Sequence, residues 1–461
     1  MIKPLSLKAL VARYAGTMPY GDCQFDAVNT DTRCLKAGEL FIALKGPNYD
    51  AHNFLQIAAD KAACGLVIGS QPKDIFLPCW LVDDTVKALG QIASLQRENY
   101  SGQLIAVTGS SGKTTVKGLL ASILSVHSNR YASDQKTVFA TTGNLNNHIG
   151  LPLSLLSLNA QHRFAVMEMG ASALGEIDYL TRIAKPHVAV VTNVMPAHVE
   201  GFGSIANIAR AKGEIFNGLE NGGTAIINKD DVYAEQWLQK NSGRHYLTFS
   251  VTNEDDTADV WAANIIAGSR GCYRFRLCLN TDSVMVKLSL LGIHNISNAL
   301  AAAACSIALG IDLRDIGKGI ESFTGDKGRL QTIVGYNQCV LLDDSYNANP
   351  GSVAAAIDVL AHYPQQKLLV LGDMGELGED ANEFHRQIGR YANEKKIDCL
   401  LTFGQLSRSC RDLFNGSGDH FDGFDSLISA IKSQVDGDTV VLVKGSHSSH
   451  MDKVVVALAQ G

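Results

Sequence analysis

The sequence predicts an α/β protein of three domains whose sheets are mostly parallel. Short continuous apolar runs, typical of strands that are buried on both faces, alternate with stretches of helical pattern through most of the 461 residues. In the N-terminal part of the chain this alternation consists of only a few short runs. A new series of strand-like runs begins near the last third of the chain. We therefore expect a small N-terminal α/β domain over 1–84, a central domain over 85–327 and a doubly wound C-terminal domain over 328–461.

The individual elements follow from these runs. The N-terminal domain has strand-like runs at 40–44 and 65–68, and a predicted helix at 86–99 leads into the central domain. Central strands are predicted at 104–107, 164–167, 188–191 and 225–227, followed by an antiparallel patch around 258–290 and an alanine-rich helix at 299–309. The C-terminal runs are 340–342, 368–371, 399–403 and 440–443.

Composition and charge limit the classes of function. A net charge of −6 and a pI near 6.1 disfavour a protein that coats a polyanion, so we expect no nucleic-acid partner. The ten cysteines include no C-x-x-C pair, which indicates buried thiols in a reducing compartment. The N-terminus lacks the apolar core of a signal peptide, and no apolar run approaches the roughly 20 residues that cross a bilayer. We therefore expect no membrane partner and a cytoplasmic location.

A phosphate-binding loop is the strongest chemical signal. The heptapeptide GSSGKTT at 109–115 directly follows the strand predicted at 104–107. A strand that enters such a turn before a helix gathers backbone N–H groups around the phosphates of a nucleotide. Lys113 is expected on the β- and γ-phosphates, and a threonine hydroxyl on Mg²⁺. The loop residues are Gly109, Ser110, Ser111, Gly112, Lys113, Thr114 and Thr115.

The spacing of this loop departs from the common G-x-x-x-x-G-K-[ST] pattern. Val107 stands five positions before Gly112, where that pattern has glycine. We therefore expect a protein that uses ATP or GTP but is not an ordinary kinase or GTPase. A GTPase-like nucleotide switch stays open as an alternative, because residues 228–231 read N-K-D-D and match the guanine-reading pattern N-K-x-D.

Of three further candidates, two lie after predicted strand ends and one on a predicted helix. Glu168 directly follows the strand at 164–167, and His198 follows the strand at 188–191. Because the carboxyl ends of parallel strands border the ligand crevice, both side chains can face a Mg²⁺ ion. Lys212 falls on a predicted helix, and on its own it is interpreted as a solvent-exposed helix charge.

Two asparagine-rich segments accompany these residues. They are TTGNLNNHIG at 141–150 and DDSYNANP at 343–350. Side-chain amides both donate and accept hydrogen bonds, which suits the recognition of peptide bonds, sugars or carboxylates without added charge. Asparagine and proline also mark tight loops. Both segments nevertheless fall at predicted crevice edges, which favours a role in binding.

Together these motifs resemble those of the Mur ligases, ATP-dependent enzymes that extend the peptide of bacterial cell-wall precursors. The resemblance is carried by the segments 108–115, 143–147, 344–350 and LGDMGELG at 371–378, and it runs in order along nearly the whole chain. Within the family, the sequence most resembles the members that add D-alanyl-D-alanine. It implies a UDP-binding N-terminal domain, a central P-loop-type ATPase domain and a Rossmann-like C-terminal domain that carries the dipeptide.

The resemblance implies an ATP-dependent amide ligase of peptidoglycan precursor synthesis. It would join UDP-N-acetylmuramoyl-tripeptide to D-alanyl-D-alanine through an acyl phosphate, releasing ADP and phosphate. The cofactors would be ATP and two Mg²⁺ ions, and we expect a monomer. The implied catalytic residues are Lys113, Glu168, His198 and Lys212, and the family's lysine at the position that matches Lys212 is typically carbamylated. The implied metal site consists of Thr114, Glu168, His198 and Lys212.

The resemblance also implies the residues that bind the three substrates. Beyond the loop, ATP would be contacted by Asn295, Asn298, Arg329 and Asp344. The UDP end of the precursor would be held by Thr32, Arg33, Lys45, Asp50 and His52. The peptide substrates would be contacted by Asn144, Asn146, Asn147, Tyr346, Asn347 and Asn349.

Two positions depart from the family pattern. Ala51 stands where the family commonly has glycine, which we expect to reshape that loop slightly. His447 stands where the family has arginine, and this removes a permanent charge and a bidentate fork for a carboxylate. The alternative within the ligases is a relative that adds a single amino acid, or glutamate to folate, and the segment 344–350 argues against it.

Overall fold

The computed structural model describes residues 1–72, 74–130, 136–253 and 257–459. The strands are β1 (Leu5–Ser6), β2 (Gln24–Phe25), β3 (Val28–Asn29), β4 (Leu40–Ile42), β5 (Gly65–Ile68), β6 (Cys79–Leu81), β7 (Gln103–Thr108), β8 (Val138–Ala140), β9 (Phe164–Glu168), β10 (Val188–Val191), β11 (Thr224–Asn228), β12 (His245–Ser250), β13 (Val260–Ala267), β14 (Cys272–Leu279), β15 (Asp282–Leu291), β16 (Gln331–Val334), β17 (Val340–Asp344), β18 (Gln366–Gly372), β19 (Cys399–Phe403), β20 (His420–Phe421) and β21 (Thr439–Lys444).

The helices are α1 (Leu7–Arg13), α2 (Leu55–Asp60), α3 (Thr85–Glu98), α4 (Lys113–Asn129), α5 (Gly150–Leu156), α6 (Glu176–Ala184), α7 (Val199–Phe202), α8 (Ile205–Gly213), α9 (Ala234–Lys240), α10 (His294–Ala308), α11 (Leu313–Ser322), α12 (Pro350–Ala361), α13 (Ala381–Glu394), α14 (Arg408–Asp412), α15 (Phe424–Lys432) and α16 (Asp452–Ala459). In the described part of the chain, every helix is too short or too polar to cross a membrane.

The strands form three larger sheets and one small one, and the α/β fold class is confirmed. At the N-terminus, β3-β4-β5-β6 is a parallel sheet and β1 pairs with β2. The central sheet has nine strands in the order β15-β14-β13-β12-β11-β10-β7-β9-β8. The C-terminal sheet has six strands in the order β16-β17-β21-β18-β19-β20. The predicted domain boundaries lie between these sheets and stay predictions.

The middle of the central sheet is buried on both faces, as the continuous apolar runs require. Along β7, Leu104 and Ala106 belong to one hydrophobic core, while Ile105 and Val107 belong to the core on the opposite face. Strands β7 to β13 pair in parallel, and β13, β14 and β15 continue the sheet as the predicted antiparallel patch. The alanine-rich helix α10 packs against α4 and this sheet, and its small side chains permit that close approach.

Register places the ends of three central strands side by side. Val107 of β7 pairs with Glu168 of β9, and Thr108 of β7 pairs with Val191 of β10. The loops that leave these strands therefore start at one edge of the sheet, in the position where open α/β sheets bind ligands. This edge positions the candidate site.

The C-terminal sheet differs from the prediction at its edge. Strands β17, β21, β18, β19 and β20 are parallel, but β16 adds an antiparallel strand beside β17. The four residues of β16 are exposed or half-buried. They therefore lack the apolar run by which the other strands were predicted.

The ten cysteines are free thiols in the structure. Six of the ten are buried, including Cys305 within α10. The expectation of buried thiols is wrong for Cys34, which is exposed in the loop after β3. The adjacent Leu35 is the residue of this loop that packs into an N-terminal core, and the thiol of Cys34 stays at the surface.

Candidate active site

The candidate site is a cleft of about 740 Å³ between the central and C-terminal sheets. Its walls come from the loops after β7, β8, β9, β10 and β11, from the start of α10 and from the loop after β17. The following sequence-predicted residues line it: Ser110, Ser111, Gly112, Lys113, Thr114, Thr115, Asn144, Asn146, Asn147, Glu168, His198, Asn295, Asn298, Arg329, Asp344, Tyr346, Asn347 and Asn349. We call it the central cleft.

The loop between β7 and α4 has the conformation that its glycines permit. Gly109 (φ 152°) and Gly112 (φ 79°) both have positive φ, where a side chain is strained. A Cβ at Gly112 would also collide with the amide of Asn298. The backbone N–H of Ser111 donates to the side chain of Asn193 at 3.0 Å, which fixes the loop to the segment after β10. The loop is therefore held in place by the next strand and by α10.

Lys113 is the cation of this loop. It is the first residue of α4, and its Nζ donates to the carbonyl oxygen of Gly109 at 2.7 Å. Burial lowers the pKa of Lys113, and the nearby carboxylate of Glu168 opposes that shift. The ammonium thus lies at a helix N-terminus, a place that already attracts anions.

Glu168 is held on both carboxylate oxygens at the end of β9. Asn146 donates to Oε1 at 2.8 Å, and the hydroxyl of Thr114 donates to Oε2 at 3.1 Å. The residue is only 3% exposed. Because α4 and the loop after β8 both fix it, the carboxylate lies next to the phosphate loop in a defined orientation.

His198 lines the same cleft from the segment after β10. It has positive φ (55°) at the start of α7, and its Nδ1 contacts the carboxylate of Glu376 from the loop after β18. Burial lowers the pKa of His198, while the charge of Glu376 raises it. The contact joins the central and C-terminal parts of the cleft.

The side-chain oxygens at this edge of the sheet provide some, but not all, of the ligands that Mg²⁺ needs. The hydroxyl of Thr114 and the carboxylate of Glu168 are hard oxygen donors, which Mg²⁺ prefers. Among the residues that the structure describes, no three His, Cys, Asp or Glu side chains are close enough to hold a metal by themselves. The protein therefore offers a partial ligand set, which fits an ion that takes its other ligands from phosphates and water.

The interpretation of Lys212 as a solvent-exposed helix charge is wrong. On α8 it is 2% exposed, with Nζ 3.4 Å from the carbonyl oxygen of Ala171 and 5.4 Å from the centre of the Phe202 ring. Burial, together with the charge of Lys113, lowers the pKa of Lys212 to about 7. It lies behind Ala171, which lines the central cleft.

Two hydrogen bonds cross the cleft from the C-terminal wall to the phosphate loop. Arg329 donates to the hydroxyl of Thr114 at 3.2 Å, and Asn349 donates to the hydroxyl of Ser111 at 3.0 Å. The guanidinium of Arg329 also lies 4.2 Å from the ring centre of Tyr346. Residues that are more than two hundred positions apart in sequence thus form one site.

Asp344 has both carboxylate oxygens occupied by protein. Lys444 donates to Oδ2 at 2.6 Å, and the backbone N–H of Leu330 donates to Oδ1 at 3.2 Å. Burial raises the pKa of Asp344, and the ammonium of Lys444 opposes this. Lys444 also donates to the carbonyl oxygen of Asn347 at 2.8 Å. The pair therefore orders the loop after β17 as well as lining the cleft.

Two of the candidate ATP-binding residues, Asn295 and Asn298, form a chain of hydrogen bonds at the start of α10. Asn295 donates to the carbonyl oxygen of Leu291 at 2.7 Å, and Asn298 donates to the side chain of Asn295 at 2.8 Å. His294 beside them lines the cleft and was not predicted. Its burial lowers its pKa to about 4, so it is a neutral ring that can contact a base. His294 could have been predicted as a site residue from its position directly before Asn295.

The N-K-x-D segment uses its side chains to hold the protein together. Asn228 donates to the carbonyl oxygen of Thr192 at 2.8 Å, and Asp231 accepts from the backbone N–H of Val194 at 2.7 Å. These bonds fix the segment after β11 to the segment after β10. The groups that would read a guanine are therefore engaged in supporting the cleft.

The candidate residues for the UDP end lie outside the central cleft, on the N-terminal sheet. Arg33 pairs with Asp31 at 2.6 Å, and this hydrogen bond holds the pKa of Asp31 at about 2. Asp50 pairs with Lys45 at 3.3 Å and with His52 at 2.6 Å. The remaining candidate is the buried Thr32. The structure therefore brings the nucleotide and peptide candidates together and leaves this group separate.

Several residues of the site were not predicted from the sequence. Lys444, Lys117, Ser172 and Glu176 line the cleft or touch its charged residues. For Lys444 the signal was available, since it directly follows the predicted strand at 440–443. Ser172 lies in the loop after β9, and Lys117 and Glu176 lie on the helices α4 and α6, but none of them belongs to a motif that marked it as a site residue.

Comparison with known proteins matches this architecture. Residues 107–306 match the family model "Mur ligase middle domain", and residues 328–447 match "Mur ligase, glutamate ligase domain". The UDP-N-acetylmuramoyl-tripeptide–D-alanyl-D-alanine ligase of Haemophilus influenzae is 41% identical over 94% of each chain. The Escherichia coli enzyme of the same name is 42% identical over 99% of this chain and 98% of its own length.

Solved structures agree. A MurF crystal structure from Acinetobacter baumannii superposes with a TM-score of 0.90 at 34% identity and covers all of both chains. MurF ligase from Thermotoga maritima in complex with ADP gives a TM-score of 0.80 at 27% identity, over 94% of this chain and 96% of its own. Folylpolyglutamate synthase from Mycobacterium tuberculosis, at 16% identity, shares the fold alone. The chain therefore belongs to the Mur ligase family.

Proposed function

We propose that this protein joins D-alanyl-D-alanine to UDP-N-acetylmuramoyl-tripeptide in the cytoplasm and converts ATP to ADP and phosphate. The names of the Haemophilus influenzae and Escherichia coli relatives support this reaction. The structural observation that carries it is the pair of hydrogen bonds from Arg329 to Thr114 and from Asn349 to Ser111. They put the nucleotide loop and the asparagine-rich loop of the C-terminal domain into one cleft.

The first step transfers the γ-phosphoryl group to the carboxylate of the tripeptide. A carboxylate is a poor electrophile, and the acyl phosphate that forms carries a good leaving group. Two anionic groups must approach each other, which requires positive charge around them. Lys113 and Arg329 supply that charge from opposite walls of the cleft.

Mg²⁺ at Thr114, Glu168 and His198 would neutralise phosphate charge and orient the γ-phosphoryl group. Glu168 is already oriented for this role by Asn146 and Thr114. We propose a second Mg²⁺ ion beside the carbamylated side chain of Lys212. Its pKa of about 7 supports carbamylation, because the neutral amine is the form that attacks carbon dioxide.

The second step is attack of the dipeptide amine on the acyl phosphate. Asn347 and Asn349 lie on the wall opposite the phosphate loop, where their amides can hold peptide groups. The tetrahedral oxyanion would form near Lys113, which then stabilises it. The N-terminal candidates Arg33 and His52 would hold the UDP end away from the reacting atoms.

The test is ADP release measured with ATP and UDP-N-acetylmuramoyl-tripeptide, with and without D-alanyl-D-alanine. We expect turnover that requires the dipeptide and yields a product enlarged by the mass of the dipeptide less one water. Turnover with a single amino acid instead would assign a different ligase of the family, and a preference for GTP would restore the nucleotide-switch alternative. Light scattering of the same sample tests the proposed monomer.

A further inference from the structure

Lys117 is a buried cation that the proposed mechanism does not use. It lies on α4, three residues after Thr114 and therefore on the same helix face. It is 7% exposed, and its Nζ donates to the carbonyl oxygen of Thr141 at 3.0 Å. A buried ammonium needs a compensating anion.

That anion is the candidate metal ligand. The Nζ of Lys117 lies 3.5 Å from Oε2 of Glu168, and both side chains are almost fully buried. Among the described residues, Lys117 is the cation within 4.0 Å of this carboxylate. Thr114 donates to the same oxygen from the cleft side. Glu168 is thus already charge-paired within the protein.

Two further cations lie near Glu168, and one further carboxylate opposes them. Lys113 interacts electrostatically with Glu168 and with Arg329, and Arg329 also acts on the neighbouring Asp326. The nearby carboxylate of Asp326 has an Oδ2 atom that is buried without a hydrogen-bond partner among the described residues. In this local group three cations, Lys113, Lys117 and Arg329, stand against the two carboxylates of Glu168 and Asp326. A divalent ion that arrives alone meets a repulsive site, whereas one that arrives with phosphates does not.

We propose that Lys117 is the internal counter-ion of Glu168 and prevents the nucleotide-free cleft from holding a divalent cation. The metal is then admitted only together with the phosphates of the nucleotide, whose negative charges reverse the local balance. Lys117 is a positioning residue in this scheme and touches no substrate. The inference rests on the metal-dependent nucleotide use in the proposed function.

The experiment titrates Mn²⁺, which shares the oxygen-ligand preference of Mg²⁺, into the full-length protein and follows free Mn²⁺ by electron paramagnetic resonance. Without nucleotide, we expect the wild type to bind Mn²⁺ weakly and Lys117→Met to bind it at least about tenfold more tightly, because one positive charge has gone. Lys117→Met combined with Glu168→Gln must lose this gain. Lys87→Met, which removes an exposed lysine of α3, must behave as the wild type.

Charge is separated from packing by two further variants. Lys117→Arg keeps the charge and must bind Mn²⁺ as weakly as the wild type. If Lys117→Met does not fold, Lys117→Gln replaces it, since the amide can still donate to Thr141. Equal Mn²⁺ affinity of a folded, neutral variant and the wild type would overturn the proposal.

The same titration with ADP distinguishes the inference from the proposed function. We expect the wild type and Lys117→Met both to bind Mn²⁺ when ADP is present. If the wild type binds none with ADP, the proposed metal-dependent nucleotide site fails. If it binds Mn²⁺ with ADP while the neutral variants gain nothing without it, the role of Lys117 alone fails.

Discussion

The central cleft and the N-terminal candidate region are built in different ways. In the cleft, half-buried and buried side chains bond to partners far away in sequence, as Arg329 does to Thr114 and Lys444 to Asp344. On the N-terminal sheet, Arg33 is 87% exposed at its side chain and pairs with Asp31, two residues away. The cleft is therefore fixed by the fold, whereas the N-terminal group is fixed by short local contacts.

The difference corresponds to the chemistry proposed for each region. Phosphoryl transfer depends on charges that are already in place when the transition state forms. Holding the remote UDP end of a substrate needs only complementary groups, and exposed ion pairs contribute little to stability. We therefore expect substitutions in the cleft to reduce kcat and substitutions in the N-terminal region to raise KM.

Lys113→Ala is expected to have the largest effect. It removes the charge that compensates the phosphates, and we expect kcat to fall by about 1000-fold or more. ADP release under saturating substrates measures this. Near-wild-type ATP cleavage by the folded variant would contradict the assignment of the phosphate loop.

Lys212→Ala tests the buried part of the cleft. We expect a loss of roughly 100-fold in kcat, because the proposed carbamate would no longer supply an anion to the second metal ion. Short-chain carboxylic acids added to the assay should partly restore activity by occupying the cavity. Full activity of the variant without them would refute carbamylation.

The pH dependence of the wild type follows from the same residue. The pKa of Lys212 is lowered to about 7, so the amine gains a proton as pH falls through that value and can no longer take up carbon dioxide. We expect activity to fall by roughly tenfold at one unit below this pKa. Activity profiles at two bicarbonate concentrations check this, and a profile insensitive to bicarbonate would count against it.

Arg33→Ala addresses the N-terminal region. We expect KM for UDP-N-acetylmuramoyl-tripeptide to rise by roughly fivefold with kcat unchanged, as for the loss of one charge-assisted hydrogen bond. Lys36→Ala, an exposed neighbour, is the matched control. A large fall in kcat would show that the N-terminal region takes part in arranging the reacting groups.

Ala51→Gly is expected to have the smallest effect. Ala51 is buried at the start of a short 3₁₀ helix, Ala51–Phe54, so glycine there loses packing and adds unfolded-state entropy. We expect a loss of about 1 kcal/mol in the free energy of unfolding of the N-terminal region, with kcat unchanged. Urea unfolding followed by the fluorescence of the buried Trp80 measures it. Unchanged stability would show that this loop tolerates either residue.

Much of the fold and the core of the site were accessible from sequence because their signals are local. The run at 188–191 matches β10, and the helix predicted at 86–99 is one residue out of step with α3. The ends of the apolar runs also located Glu168 and the phosphate loop. These features depend on periodicity and strand ends, which neighbouring residues determine.

The remaining features depend on contacts between distant parts of the chain. Burial of Lys212 is produced by packing of α8 against the segment after β9, so its own helix gave no indication of it. The antiparallel strand β16 is exposed or half-buried, and its apolar residues are only Ile333 and Val334, too few to form a run like those of the other strands. Pairing of Lys117 with Glu168 joins positions on different elements. None of these can be deduced from a window of a few residues.

The bond between Asn349 and Ser111 has a consequence for inhibition. It joins the asparagine-rich loop to the phosphate loop by a single contact between neutral side chains, so little energy holds the two walls at that point. A small molecule that binds between the two loops would break this hydrogen bond and hold the two walls of the cleft apart. Such a compound would stop the reaction without imitating either the nucleotide or the peptide.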